Sequence, residues 1–211
     1  MLTEAQPGIG LRTRPEASIQ MSLRDYVRKR DFSRTVEPRA AAARSKSRKA
    51  ERSFVIQKHD ASRLHYDFRL ELDGALKSWA VPKGVPFKKG EKRLAMQVED
   101  HPVEYKNFEG TIPEGQYGGG TVMIWDQGTY EPLADDPRKD LKDGKLHVAL
   151  HGTKLDGEWT LVRMKRGNDN EWLLIKSGED MRPISKKKDN ESAVSGRTMA
   201  RIAKDKDAEW R

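Results

Sequence analysis

From Leu64 to Leu72 the chain alternates without a break, Leu-His-Tyr-Asp-Phe-Arg-Leu-Glu-Leu. Successive side chains of an extended strand point to opposite faces. Leu64, Tyr66, Phe68, Leu70 and Leu72 therefore share one face, and His65, Asp67, Arg69 and Glu71 the other. Similar short runs at 54–58, 94–99, 121–125, 145–150, 158–164 and 171–177 are separated by turn signals. These signals are Asp73-Gly74, Pro82-Lys83-Gly84, Pro113-Glu114-Gly115, Asp143-Gly144, Asp156-Gly157 and Gly167-Asn168. Short strands with such punctuation, and no long helical period among them, predict an antiparallel barrel or sandwich over residues 53–178.

The flanks read differently. Residues 1–21 are polar and aperiodic, the pattern of a flexible arm. Ser22-Leu23-Arg24-Asp25 resembles a capping box, and Leu23, Tyr26 and Val27 follow at helical spacing, so a short amphipathic helix is expected there. Residues 38–52 form a basic segment that either touches phosphates or frays as a helix without a partner. From 179 to 211 a basic polar tail is expected, with one helical turn near Met199 and Ile202. The formal net charge of +8 favours a polyanionic partner. No cysteine is present, which excludes disulfides, thiolate metal sites and cysteine nucleophiles. No run approaches the roughly 20 apolar residues of a membrane span, and the N-terminus lacks a secretory apolar core. A cytoplasmic protein that is neither secreted nor membrane-bound is the expectation.

The polar face of the Leu64–Leu72 strand carries the chemistry. Like-facing residues lie roughly 7 Å apart, so His65 and Asp67 can converge on one cation if a third ligand approaches, and His59 is the candidate from a short loop upstream. Two imidazoles and a carboxylate leave coordination positions open for water and a phosphate oxygen. Arg69 lies where a bidentate phosphate contact would be useful. On spacing alone, a solvent face whose histidines bond to backbone is an equal reading. Other motifs point elsewhere. Lys154-Leu155-Asp156-Gly157 matches the short string by which ligases form a lysyl-adenylate, yet no companion motif follows and a β-turn is the better reading. Gly115–Gly120 lacks the GK[ST] of a phosphate loop and reads as a tight turn. His147 and His151 fall on a polar strand face. Trp79, Trp125, Trp159 and Trp172 read as core or rim packing before base-stacking platforms.

The segment QKHDASRLHYDFRLELDGALKSWAVPKG (57–84) closely resembles the signature of the 3′-phosphoesterase domain of bacterial ligase D and its free-standing relatives. The resemblance continues through KRLAMQVEDHPVEY, FEGTIPEGQYGGGTVMIWDQGTY and HGTKLDGEWTLVRM. With RKRDFSRTVEP upstream, it covers about residues 24–200. It implies a mainly β fold, a compact antiparallel β-barrel core with short flanking helices and flexible termini. It also implies a manganese ion, with cobalt or zinc as alternatives at the same site, held by His59, His65 and Asp67. Arg69 and His101 match residues that engage the reactive phosphate, and Tyr105 a tyrosine needed for activity. Gln57, Lys83, Arg93 and Glu99 match further active-site positions, the first three for phosphate or substrate. Arg30, Asp31 and Glu37, with Glu99, correspond to residues that assist a diesterase step. Val85 stands where relatives often carry Pro directly after the glycine, a departure that bears on Lys83.

The resemblance implies two-step healing of DNA 3′ ends in bacterial non-homologous end joining. A diesterase step removes the nucleoside of a terminal ribonucleotide, and a monoesterase step then removes the remaining 3′-phosphate. Protonated His101 is expected either to stabilise phosphoryl charge or to donate a proton to the leaving oxygen. On local context alone it is a loop histidine satisfied by neighbouring carboxylates. Primer-template 3′ ends are the implied substrate, with a DNA ligase, a polymerase or Ku-type proteins as partners near the nucleoid. The alternatives are a non-catalytic nucleic-acid-binding barrel that recruits repair factors and, further off, a nucleotidyltransferase at Lys154.

Overall fold

The computed structural model describes residues 22–40, 52–205 and, as backbone, 208–210. The expected N-terminal arm and most of the basic 38–52 segment lie outside the described residues. Strands β1 (Ser53–Asp60), β2 (Leu64–Leu72), β3 (Ala75–Val81) and β4 (Lys92–Pro102) form consecutive antiparallel pairs. A 3-10 helix (Val103–Asn107) leads into β5 (Phe108–Ile112) and the long β6 (Gly120–Pro132). Then follow β7 (Lys145–Gly152), β8 (Asp156–Arg163) and β9 (Glu171–Ser177). The order β1-β2-β3-β4-β9-β8-β7-β6 closes through β6 onto β1, giving an eight-stranded antiparallel barrel. Closure removes free sheet edges. β5 continues beside β6 outside the ring, and β10 (Ala208–Trp210) pairs with β5.

The apolar halves of the alternating strands fill the barrel. Phe54, Ile56, Phe68, Leu70, Trp79 and Trp172 belong to one buried cluster with Trp125 and Trp159. All four tryptophans read as packing residues are thus in the core, and truncating one to alanine should cost about 3–5 kcal/mol. Asp73 and Gly74 take φ of +58° and +77° in the two-residue β2–β3 turn, a conformation that Asp-Gly adopts readily.

The polar face of β2 is not a solvent face. A second cluster, including Tyr26, Val55, Leu76, Tyr105, Phe108 and Ile124, covers the outside of β1, β3 and β6. Helix α1 (Leu23–Arg28), the 3-10 helix and β5 supply the cover. The Ser22 amide donates to Asp25 Oδ2 at 3.0 Å, as the capping-box pattern requires. The buried face of α1 is narrower than the hydrophobic spacing suggested, because Tyr26 is fully buried whereas Val27 is 46% exposed.

Two further helices frame the barrel. α2 (Pro137–Asp143) starts at Asp136, whose side chain accepts from the amides of Arg138 and Lys139, and ends at Gly144. The Asp143-Gly144 signal is thus a helix terminus followed by a strand. The expected polar tail is packed against the barrel as far as residue 205. Its helices are α3 (Lys186–Asn190) and α4 (Met199–Asp205). Ile202 of α4 is fully buried, and Asp189 of α3 accepts from Lys58 Nζ and Trp125 Nε1. A boundary at residue 178 therefore cuts through packed structure. Among the described residues no helix is long and apolar enough to cross a membrane.

Candidate metal and phosphate site

β1 and β2 bring His59 and His65 directly opposite each other, with ring centroids 4.8 Å apart. His59 thus sits on a strand, across the ladder from His65. Asp67 follows on the same face of β2. The ligand atoms of these three residues all lie within 4.8 Å of one another. His59 Nδ1 is 3.5 Å from Asp67 Oδ2, and His65 Nε2 is 3.6 Å from Asp67 Oδ1. Backbone carbonyls fix both tautomers. His65 Nδ1 donates to Arg63 O at 2.8 Å, and His59 Nε2 donates to Gly118 O at 2.9 Å. A carbonyl only accepts, so in the neutral ring it is the inward nitrogens, His59 Nδ1 and His65 Nε2, that carry the lone pairs. Two imidazoles oriented by backbone carbonyls and one ionised carboxylate are the chemistry of a divalent transition-metal site. The residues fit such an ion. Burial alone would raise the Asp67 carboxyl, but the Arg69 guanidinium, 2.9 Å from its Oδ2, holds it well below the usual carboxylate range.

Beside this trio is a cavity of about 190 Å3, whose lining includes His65, Asp67, Arg69, His101, Tyr105 and Tyr117. Arg69 is 2% exposed. Its Nε donates to Gln57 Oε1 at 2.9 Å, Nη1 to Ser78 Oγ at 2.8 Å and Nη2 to Asp67 Oδ2 at 2.9 Å. Gln57 in turn donates to the carbonyls of Tyr105 and Phe108, tying the guanidinium to the covering 3-10 helix. The guanidinium is therefore held rigidly, with one N–H on Nη2 left over for an oxygen in the cavity.

His101 reaches this face through a β-bulge. Ser78 pairs with Val98 and Leu76 with His101, so Lys77 alone opposes Glu99 and Asp100. Ala95 lies in the main core, and Gln97 accepts from the core Trp172. Unbroken alternation would send Glu99 and His101 inward as well; the extra residue turns both outward and leaves Asp100 to pair with Lys77. His101 Nδ1 is 2.8 Å from Glu99 O and 2.9 Å from Arg69 Nη1, and Nε2 is 3.3 Å from Arg30 Nη2. The Nδ1–H tautomer satisfies the carbonyl and the Arg30 contact, and sets one N–H beside the Arg69 Nη1 donor. A protonated ring would face guanidinium N–H groups at both nitrogens. Burial, then Arg69 and Arg30, push the imidazole well below its ordinary value. The protonated His101 implied by the resemblance is thus disfavoured in the free protein, where burial and then the two guanidiniums oppose a charge on the ring.

The N-terminal segment supplies the remaining wall. Arg30 Nε donates to Glu37 Oε1 at 2.9 Å and its Nη1 to Glu99 Oε1 at 3.1 Å, with the guanidinium carbon 3.7 Å from the Tyr26 ring centroid. Tyr105 donates its hydroxyl to Glu37 Oε1 at 3.0 Å. Burial and the Glu37 charge push that phenol well above its ordinary value, so it stays protonated. Lys29, Arg30 and Arg69 balance Glu37, Glu99 and Asp67, leaving the pocket near neutral without an ion. A divalent ion would give it the positive surplus that a phosphate dianion requires.

His59, His65, Asp67, Arg69, His101, Tyr105, Arg30, Glu37 and Glu99 all line the cavity. Gln57 stands behind Arg69. Asp31, Lys83 and Arg93 are not brought to it. Asp31 accepts from the backbone and hydroxyl of Ser33 in a turn. Lys83 is exposed in the β3–β4 connection, and Arg93 pairs with Glu91 at 2.5 Å. Lys29, Ser78 and Gly118 were not expected at the site. Only Gly118 had a signal, the glycine-rich turn that allows close backbone approach. His147 and His151 pair with Glu158 and Asp156 at 3.1 and 3.2 Å. Lys154 is bonded to Glu191 O and lies 4.9 Å from the Trp125 ring centroid, away from this cavity.

The sequence profile of the DNA Ligase D 3′-phosphoesterase domain matches residues 57–163. The chain is 56% identical over 156 residues to the multifunctional non-homologous end joining protein LigD of Pseudomonas aeruginosa, across 74% of this chain and 18% of that protein. It is 44% identical over 171 residues to the multifunctional non-homologous end joining DNA repair protein LigD of Mycobacterium tuberculosis, across 79% and 21% of the two chains. It is 43% identical over 177 residues to the LigD protein of Mycolicibacterium smegmatis, across 80% and 22%. The chain thus spans about a fifth of the length of the curated relatives it matches.

Proposed function

Because the chain belongs to the DNA ligase D 3′-phosphoesterase domain family, we propose that it is a divalent-metal-dependent phosphoesterase that heals DNA 3′ ends for end joining. Its substrates on this reading are primer-template ends that carry a terminal ribonucleotide or a 3′-phosphate. The diesterase step releases the terminal nucleoside, and the monoesterase step then exposes a 3′-hydroxyl. The observation that carries the reading is the convergence of His59, His65 and Asp67 beside a rigidly held, buried Arg69.

Manganese is the favoured ion, with cobalt or zinc able to use the same donors. Such an ion supplies Lewis acidity toward a phosphoryl oxygen and toward the attacking water. The side chains do the rest. Arg69 donates from Nη2 to a non-bridging oxygen and stabilises the charge that builds on it. His101, neutral before substrate enters, gains a dianionic neighbour on binding. Its ring can then hold a proton between the Glu99 carbonyl and the phosphoryl group and pass it to the leaving oxygen. Tyr105 remains protonated and orients Glu37, which holds Arg30 over the cavity. Arg30, Glu37 and Glu99 are assigned to placing the ribonucleoside for the diesterase step. Lys83 and Arg93 are reserved for more distant contacts with the DNA. The partners on this reading are a ligase, a polymerase and Ku-type proteins in a bacterial cytoplasm.

The test is a 3′-phosphate primer-template assayed with manganese, with EDTA, and with His65→Ala. Metal-dependent phosphate release that the substitution abolishes supports the reading. DNA binding without release in any metal refutes it, and leaves a nucleic-acid-binding barrel.

A further inference from the structure

At the mouth of the cavity stands Tyr117, 46% exposed and the sole aromatic among the exposed large hydrophobic side chains of the described residues. The described tryptophans are buried. An aromatic ring left in water at the entrance of a polar cavity is held there by something other than packing. Its hydroxyl accepts from Lys29 Nζ at 3.1 Å, and Lys29 also donates to Glu99 at 2.9 Å. The Arg30 guanidinium carbon lies 5.4 Å from the ring centroid. The backbone is fixed just as firmly. Gly118 O accepts from His59 Nε2, and Gly119 N donates to Gln116 O at 2.9 Å. A Cβ on Gly120 would stand 2.2 Å from Asp60 O, so the loop is pressed against the end of β1. The ring therefore has a fixed place relative to the proposed metal ligands, while much of its surface stays open.

We propose that Tyr117 is a stacking platform for the base of the terminal nucleotide at the 3′ end, and so selects nucleotide ends over bare sugar phosphates. This deepens the phosphoesterase reading and rests on it. A phosphate held by Arg69 leaves its nucleoside projecting toward the cavity mouth, where a flat apolar ring edged by two cations faces it. Every base has a π-face, so such a contact tolerates any sequence and adds to affinity without choosing among bases. The sugar alone offers no such face.

The test compares primer-templates ending in a 3′-phosphate nucleotide with otherwise identical ends whose terminal sugar lacks its base. With manganese, the full chain should show a KM for the abasic end roughly 5- to 150-fold higher, the range expected for one base–aromatic contact. Tyr117→Leu should erase that difference, and Tyr117→Phe should keep it. Anisotropy titrations of the same DNAs in EDTA should show the same pattern in Kd. Equal KM values for both ends with the unsubstituted protein overturn the proposal, as does a preference that survives in Tyr117→Leu. If neither end is hydrolysed, the phosphoesterase reading fails, and the Kd pattern alone decides whether Tyr117 stacks.

Discussion

Removing the Arg69 guanidinium tests how the site shares one carboxylate between two cations. Arg69 and Asp67 have side chains 3% and 9% exposed and meet at 2.9 Å. Arg69→Ala leaves a buried carboxylate without its guanidinium and strands Gln57 Oε1. Breaking one side of a buried pair costs about 3–5 kcal/mol. For a domain of this size that corresponds to a Tm lower by about 6–20 °C in EDTA. The same Asp67 oxygens face the proposed ion. Deleting Arg69 removes a positive charge that competes for them, and manganese can then replace the lost counter-charge. Thermal unfolding followed by circular dichroism, with EDTA and across a manganese titration, should show the deficit shrinking as the metal saturates. A Tm deficit that is the same with and without manganese would refute the shared-carboxylate reasoning. So would a loss in EDTA below about 1 kcal/mol, the range of an exposed pair.

Three other outcomes follow from the geometry. The depressed Asp67 carboxyl binds its proton more weakly when folded than unfolded. Its stabilisation is therefore complete above the unfolded value near 3.9 and fades as pH falls below it; acid unfolding curves in EDTA should lose this component in Asp67→Asn, and an identical pH slope in both proteins contradicts the assignment. His101 should be neutral at pH 6 without substrate, which nitrogen-15 chemical shifts would report, and an imidazolium signature there would show that Arg30 and Arg69 do not set its charge. Gly120→Ala puts a Cβ against the Asp60 carbonyl at a φ of +145° and should cost on the order of 1–3 kcal/mol or more; an unchanged Tm by differential scanning fluorimetry would mean the loop is not pressed against β1.

β2 was legible with its bounds because nine alternating residues end on an Asp-Gly turn. β3 was harder to read, since Lys77 and Ser78 interrupt its apolar run. Both are buried there only because remote partners receive them, Asp100 for Lys77 and Arg69 for Ser78. The identities of His65 and Asp67 were visible as neighbours on one strand face. The burial of that face was not, because it depends on contacts such as Arg30–Glu99, 69 residues apart in sequence. Periodicity also hides the bulge at Glu99 and Asp100, where one inserted residue reverses every later side chain. For the same reason the charge state of His101 escaped local reading: Arg30 and Arg69 come from different elements. Folding of residues 179–205 onto the barrel turns on a few anchors, chiefly Ile202 and Asp189, within a polar stretch whose composition resembles a tail.

The decisive measurement is direct titration of the EDTA-stripped protein with manganese, followed by electron paramagnetic resonance and calorimetry. One ion should bind per chain, with nitrogen hyperfine coupling from imidazole, and His59→Ala, His65→Ala and Asp67→Ala should each weaken it while circular dichroism shows the barrel intact. Manganese binding that none of the three substitutions alters, or no binding at millimolar metal, would contradict a metal centre on β1 and β2.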